Sequence, residues 1–246
     1  MLARFTHNHA RIESLHRSAL PRAPPPSEHL APSEAVRRVK ALATAKFGES
    51  VEMHARLNLQ PKYPDQQLRT TVQLPHSTGK AIRVAVLCSE EEAEACLVAG
   101  ASLAGPAAVV EALSGGQLPF QRLLCTPALL PRLAPFGRLL GPRGLMPSSR
   151  AGTLVERPAE GVALALRGQQ ALRLDRSGNI HLSLGRADFA EDQLLGNFLA
   201  ACQAVDRARP SGAKGLLWRA LHLAPSMGPS VRVDVRAMLD AVRSLS

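Results

Sequence analysis

Apolar residues recur along this chain in two rhythms. Val36, Val39, Leu42, Ala43 and Phe47 fall at helical spacing. Ser33, before Glu34, can cap such a helix, so a helix is expected over 34–46, ended by Gly48. Val51, Met53, Ala55, Leu57 and Leu59 then alternate with Glu52, His54, Arg56 and Asn58. That is the pattern of a half-buried strand with one wet face. After a polar stretch over 60–67, Leu68, Thr70, Val72 and Leu74 repeat it.

The rhythm changes at Pro75. Residues 82–87, Ile-Arg-Val-Ala-Val-Leu, form a near-continuous apolar run, which suits a strand covered on both faces, as in a parallel sheet. Short helices are expected over 90–98 and 106–113, a strand over 123–125 and a helical turn over 127–133. A Gly/Pro-dense stretch over 137–152 ends this part. The half-wet rhythm then resumes. Pro158 can open a helix through Leu166. Leu172 and Leu174 alternate with Arg173 and Asp175, and the turn Arg176-Ser177-Gly178-Asn179 leads into Ile180, Leu182 and Leu184, a hairpin signal. Asp188 can cap a long helix striped by Leu194, Leu195, Phe198, Leu199, Cys202 and Val205. A strand over 216–223, the short run Val231-Arg232-Val233 and a helical tail from Val235 complete the chain.

Half-wet sheet thus stands on both sides of fully covered sheet. Alternating strands and helices make the class α/β. The economical arrangement is a discontinuous domain, 32–74 plus 154–235, with an inserted α/β domain over 75–153 and a C-terminal extension over 236–246. Crossings at Pro75 and Gly152 would form a double hinge.

Of 246 residues, 46% are hydrophobic, which excludes disorder throughout. No apolar run reaches the length of a membrane span. Cys88, Cys96, Cys125 and Cys202 stand singly, so neither a zinc site nor a disulfide scaffold is implied, and buried thiols are expected. The 30 Lys+Arg against 20 Asp+Glu leave a net charge of +10; the excess is spread along the chain and suits a polyanionic partner. Few aromatics argue against a base-stacking platform. Residues 1–31 carry Arg4, Arg11, Arg17, Arg22 and the run Pro24-Pro25-Pro26; they read as an organelle transit peptide or a disordered basic arm.

Enzyme motifs are mostly absent. Ser77-Thr78-Gly79-Lys80 lacks the earlier Gly and the Ser/Thr of a phosphate loop. Gly115-Gly116-Gln117 is too short to carry an argument. The eight His show no i, i+4 ligand pair. By contrast, Gly137-Arg138-Leu139-Leu140-Gly141-Pro142-Arg143-Gly144-Leu145-Met146-Pro147 can approach another backbone closely and offers two Arg. By itself it is either a structured loop or a nucleic-acid contact.

With that stretch, the chain resembles the ribosomal protein L-one family of the large-subunit stalk. Ala43-Thr44-Ala45-Lys46-Phe47 and Glu49-Ser50-Val51-Glu52 resemble its opening helix and strand. Pro64-Asp65-Gln66, Leu74-Pro75-His76 and Thr78-Gly79-Lys80 resemble its entry to the inserted domain. Asp175, Ser177-Gly178-Asn179-Ile180-His181, Ala213-Lys214-Gly215 and 226–234 also fit, so the likeness covers about 34–234. Gly48 stands where the family usually has Asp.

The resemblance implies a split β-α-β RNA-binding domain with an inserted Rossmann-like α/β domain. It implies stalk rRNA binding near the tRNA exit site and help in releasing deacylated tRNA. The implied rRNA face takes Phe47, Glu49, Ser50, Ser226, Met227, Gly228 and Pro229, with the turn Asp175, Arg176, Ser177, Gly178 on the same side. Lys46, Lys214 and Arg176 are phosphate candidates. Taken alone, Met227 would read as a core residue. Arg138, Gly141, Arg143 and Gly144 are possible tRNA or RNA contacts. The partners implied are large-subunit rRNA, exit-site tRNA and neighbouring ribosomal proteins, without membrane, cofactor or metal. The residues past Asp234 extend beyond the family's usual end, as a helix that could dock on a neighbour. The amino-terminal composition favours the mitochondrial matrix, with plastid or bacterial cytoplasm as alternatives. The rivals are a small nucleotide-binding Rossmann-like enzyme and a translational repressor. The first is disfavoured because Glu90-Glu91-Glu92, just after 82–87, would repel phosphate.

Overall fold

The computed structural model describes residues 28–79, 82–116 and 118–244. The first elements are α1 (Pro32–Leu42), β1 (Ser50–Leu57), β2 (Arg69–Gln73) and β3 (Val84–Leu87). Next come α2 (Glu90–Val98), β4 (Leu103–Ala104), α3 (Pro106–Ser114) and β5 (Arg122–Cys125). Tight helical turns over Pro127–Phe136 lead to α4 (Gly137–Leu140), α5 (Pro158–Leu166) and β6 (Gln169–Arg173). Last are β7 (Asn179–Arg186), α6 (Glu191–Arg207), β8 (Trp218–Pro225), β9 (Val231–Arg232) and α7 (Val235–Ser244).

The alternation along β1 decides the main sheet. Val51, Met53, Ala55 and Leu57 point to one side and are buried, because successive strand residues face opposite ways. The sheet runs β7-β1-β8-β9 and is antiparallel throughout. On its covered face Met53 and Leu223 share a core with Val36 and Val39 of α1, Phe198 and Cys202 of α6, and Met238 and Val242 of α7. The other face, with Glu52, His54, Arg56 and His181, is open.

A parallel sheet, β4-β3-β5, forms the central unit. All four residues of β3 are buried. Ala85 and Leu87 pack with Val109 and Leu113 of α3, while Val84 and Val86 pack with Cys96 of α2 and with Val162 and Ala165 of α5. Helices on both faces explain the uninterrupted apolar run. The class is α/β, as expected. Cys88, Cys96, Cys125 and Cys202 are all buried free thiols.

Several expectations are corrected. The first helix stops at Leu42 rather than 46, because the Ala45 amide bonds the Glu49 carboxylate instead of a helix carbonyl. Phe47, expected on the apolar stripe, is therefore exposed. The helix enters through Ala31 with Pro32 in its first turn, so Ser33 is not its cap. Ordered chain begins before residue 32: Leu30 is buried and bridges Val233 at the sheet edge. The other residues of the expected amino-terminal arm, 1–27, lie outside the described residues.

The expected hairpin over 172–184 is only a junction. Beyond the single bridge Leu174–Ile180, β6 leaves β7 to pair with β2 in a separate two-stranded sheet. Asp188 does not cap α6. The helix starts at Glu191, where Gln193 Oε1 accepts from the Ala190 amide at 3.3 Å. α7 docks on its own chain through Met238 and Val242.

Packing also moves the crossings. His76 is bonded to Asn197 of α6, and Gly79 lies against Phe189 and Arg186, so the chain is still with the main sheet at 79. On the return, Leu154 bridges Cys125 and α5 packs in the central unit. Residues 154–166 thus belong to the central packing, past the expected crossing at Gly152. Gly152 itself is in the left-handed region at φ +60, where a Cβ would stand 2.9 Å from Gln169 Nε2.

Candidate nucleic-acid interface

Two loops distant in sequence meet at one end of β1. Register places Val51 opposite Pro225, so the loop after β8 lies beside the turn before β1. Glu49 joins them. Its side chain is only 2% exposed; Oε1 accepts from the Ala45 amide at 2.8 Å and Oε2 from the Met227 amide at 2.9 Å. A buried carboxylate persists only with such donors. Ser226 adds a second tie. Its Oγ accepts from the Ser50 amide at 3.0 Å and donates to the Ser50 carbonyl at 3.3 Å.

With their backbones held, these loops turn apolar side chains outward: Phe47 is 57% and Met227 64% exposed. Lys46 is exposed beside them, and Pro229 is half-buried. Gly228 permits the close approach, because a Cβ there would stand 2.8 Å from the Leu42 carbonyl oxygen. Two loops tied to each other and presenting exposed large apolar groups, a cation and backbone form a surface suited to docking.

The second group lies elsewhere. Ser50 pairs with Arg186, but Arg56 pairs with Asn179, so the turn Asp175–Gly178 sits at the opposite end of β1. At strand rise the two ends are roughly 23 Å apart. The expectation that this turn shares the side of the Ser226–Pro229 loop is corrected by that antiparallel register. Asp175 Oδ1 accepts from the amides of Ser177 and Asn179 at 2.8 and 2.7 Å. The Asn179 amide above all holds this carboxyl below the usual range; burial opposes it, and the Asn179 side chain, the Ser177 amide and His181 add to the lowering. Gly178 adopts φ +83, and a Cβ there would stand 2.6 Å from the Leu59 carbonyl. Lys214 is at this same end, where its carbonyl accepts from Asn58 Nδ2 at 3.1 Å. Arg176 and Lys214 are both exposed.

Between the two ends the open face carries a row that sequence reading missed. His181, His54 and His222 stand opposite one another on β7, β1 and β8, with Arg232 next on β9. His54 Nδ1 is 2.8 Å from His181 Nδ1, and His181 Nε2 is 3.5 Å from Asp175 Oδ2. Burial, then His181, pulls the His54 imidazole below its ordinary value, with Glu52 opposing. Burial, then Arg232, His54 and His29, does the same for His222. The face is thus polar and joins both loop clusters.

The chain matches the model of the Ribosomal protein L1p/L10e family over residues 39–229. It belongs to that family. Among similar proteins is the large ribosomal subunit protein uL1 of Synechococcus sp. (strain WH7803), 47% identical over 209 residues, covering 85% of this chain and 89% of the relative. The proteins of the same name from Prochlorococcus marinus (strain MIT 9303) and Trichodesmium erythraeum (strain IMS101) are each 46% identical over 209 residues. They span 85% of this chain and 89% and 88% of their own lengths.

The family match spans every candidate contact from Lys46 to Pro229 and stops before α7. It also spans the loop of the central unit. There Arg138, Gly141, Arg143 and Gly144 are exposed. Gly144 is left-handed at φ +69, and its backbone lies against Arg173. Arg186 is a further residue that sequence reading passed over. Its guanidinium fills the space beside Gly48, so a side chain at 48 would have to displace this flexible end. The only signal was the glycine itself, where the family usually has Asp. The histidine row had no local signal, because it exists only in the register of three strands.

Proposed function

We propose that this chain is a non-enzymatic, structural RNA-binding protein of the large ribosomal subunit that grips stalk rRNA with the split unit. The observation that carries the reading is the Glu49 clamp. One buried carboxylate bonds the amides of both Ala45 and Met227, so the exposed Phe47 and Met227 are presented on pre-organised backbone. Sugars pack against Met227 and the Gly228 backbone, Ser50 and Ser226 lie within reach of 2′-hydroxyls, and Lys46 takes phosphate. The open sheet face carries the duplex or loop on to Arg176 and Lys214 at the far end, so one RNA segment spans both clusters.

The units that move are, in this reading, residues 30–79 with 168–244, and 82–167. The central unit swings with the stalk, meets departing exit-site tRNA and aids its release. Cross-linking the two units covalently should slow tRNA release; unchanged release with the motion abolished would refute that role. The relatives at 46–47% identity are cyanobacterial, which favours the plastid, or a bacterial cytoplasm, over the mitochondrial matrix suggested by the amino-terminal composition.

The test is binding of the full chain to a stalk-rRNA hairpin over a salt series, beside Met227→Ala and Gly228→Val. A specific complex with a log–log slope of roughly −0.7 to −0.9 per neutralised phosphate, lost by at least tenfold in both variants with unchanged circular dichroism, is expected. Equal affinity for unrelated RNA, or variants like the parent, would overturn the proposal.

A further inference from the structure

A cleft of about 270 Å³ lies between the end of β6 and the loop after α4. Three arginines from separate parts of the chain line it: Arg122 at the start of β5, Arg143 in the Gly/Pro loop and Arg173 at the end of β6. Among the described residues none of the three is in a salt bridge. Arg69 stands directly across from Arg173 in the ladder, and like charges so placed repel. Positive charge is therefore concentrated here without internal compensation.

Arg122 makes the site more than a surface patch. Its Nη1 is buried and has no hydrogen-bond partner. Burial also lowers its pKa, a sign that the cation is poorly solvated where it sits. A buried guanidinium nitrogen without an acceptor is costly, and an acceptor from a water, an anion or a ligand offsets that cost. The loop is shaped to reach across. Gly144 turns at φ +69, and a Cβ there would stand 3.2 Å from Arg173 Nη1. The Gly144 amide is bonded to the Gly141 carbonyl at 3.0 Å, and the Leu145 amide to the Leu140 carbonyl at 3.0 Å, so the turn carrying Arg143 is held.

We propose that this cleft binds one phosphate group, held by the guanidinium groups of Arg122, Arg143 and Arg173. Planar forked donors suit its oxygens, and several can share one anion. The occupant is inorganic phosphate or a phosphodiester of RNA; the chemistry is the same. Arg122 and Arg143 belong to the central unit and Arg173 to the two-stranded sheet, so the bound anion ties the two together. The site is separate from the Glu49 clamp and does not depend on it.

The test uses the full chain. Orthophosphate is titrated against chloride at matched ionic strength, followed by calorimetry and phosphorus NMR, for the parent, Arg143→Gln, Arg173→Gln and Met227→Ala. Saturable binding, weakened at least tenfold in Arg143→Gln and Arg173→Gln but kept in Met227→Ala, supports a free-phosphate site. A second arm measures the salt dependence of RNA binding. A slope reduced by about 0.7–0.9 in each Arg variant, with no orthophosphate binding, supports the phosphodiester. Both Arg variants are at exposed positions, and circular dichroism checks their fold. Arg variants that match the parent in both arms would overturn the proposal.

Discussion

Glu49→Gln perturbs the clamp with almost no change of volume. The amide keeps one oxygen acceptor and sets an NH2 against the other backbone N–H. One of the two bonds, at 2.8 Å to Ala45 or 2.9 Å to Met227, is therefore lost, and the survivor is no longer charge-assisted. A hydrogen bond to a charged group contributes about 1.5–3 kcal/mol, and a buried unsatisfied donor costs about 1–3 kcal/mol. The side chain is 2% exposed, so water cannot easily replace the partner, and a loss of roughly 2–3 kcal/mol follows. For a chain of this size that is about 5–10 °C in Tm. Urea unfolding measures the stability, and amide hydrogen exchange at Met227 and Ala45 locates it. Stalk-rRNA affinity should fall as well, because Met227 is no longer held. A variant within about 0.5 kcal/mol of the parent, with unchanged exchange at both amides, would refute the reasoning.

Other outcomes follow from the same geometry. Asn197 is buried and bonds the His76 amide and carbonyl and the Leu184 carbonyl, so Asn197→Ala should cost roughly 3–5 kcal/mol in urea unfolding. Burial raises the thiols of Cys96 to about 12 and Cys125 to about 11; native protein at pH 7.5 should resist iodoacetamide by mass spectrometry, and unfolded protein should react at all four cysteines. His54 and His222 are depressed from an ordinary value of 6.5, so between the two values the unfolded chain binds more protons. Their contribution is full above pH 6.5 and is lost as pH falls toward the folded values. Urea midpoints should drop from pH 7.5 to 5.5, and less steeply in His54→Asn.

Much of the fold was legible because its causes are local. The covered run at 82–87, the helices after Glu90 and Pro106, and the helix from Pro158 to Leu166 follow from periodicity and from proline and glycine at their ends. Local pattern and structure part where a distant group intervenes. The Glu49 carboxylate takes the Ala45 amide from α1 and turns Phe47 outward. The pairing of β6 with β2 dissolves a hairpin that the Ser177-Gly178 turn announces. In sequence the candidate contacts from Lys46 to Pro229 read as one surface, yet register sets them at two ends of a sheet.

Sequence by itself determined most of the segments that become strands and helices, the cationic balance, and the loop motifs that place the chain in its family. Those properties depend on neighbours one to four residues apart, or on composition. Tertiary structure alone decided that Glu49 meets Met227, that His54, His181 and His222 form a row, and that Arg122, Arg143 and Arg173 share a cleft. Each depends on strand register and loop approach between residues tens to well over a hundred positions apart, which periodicity does not encode.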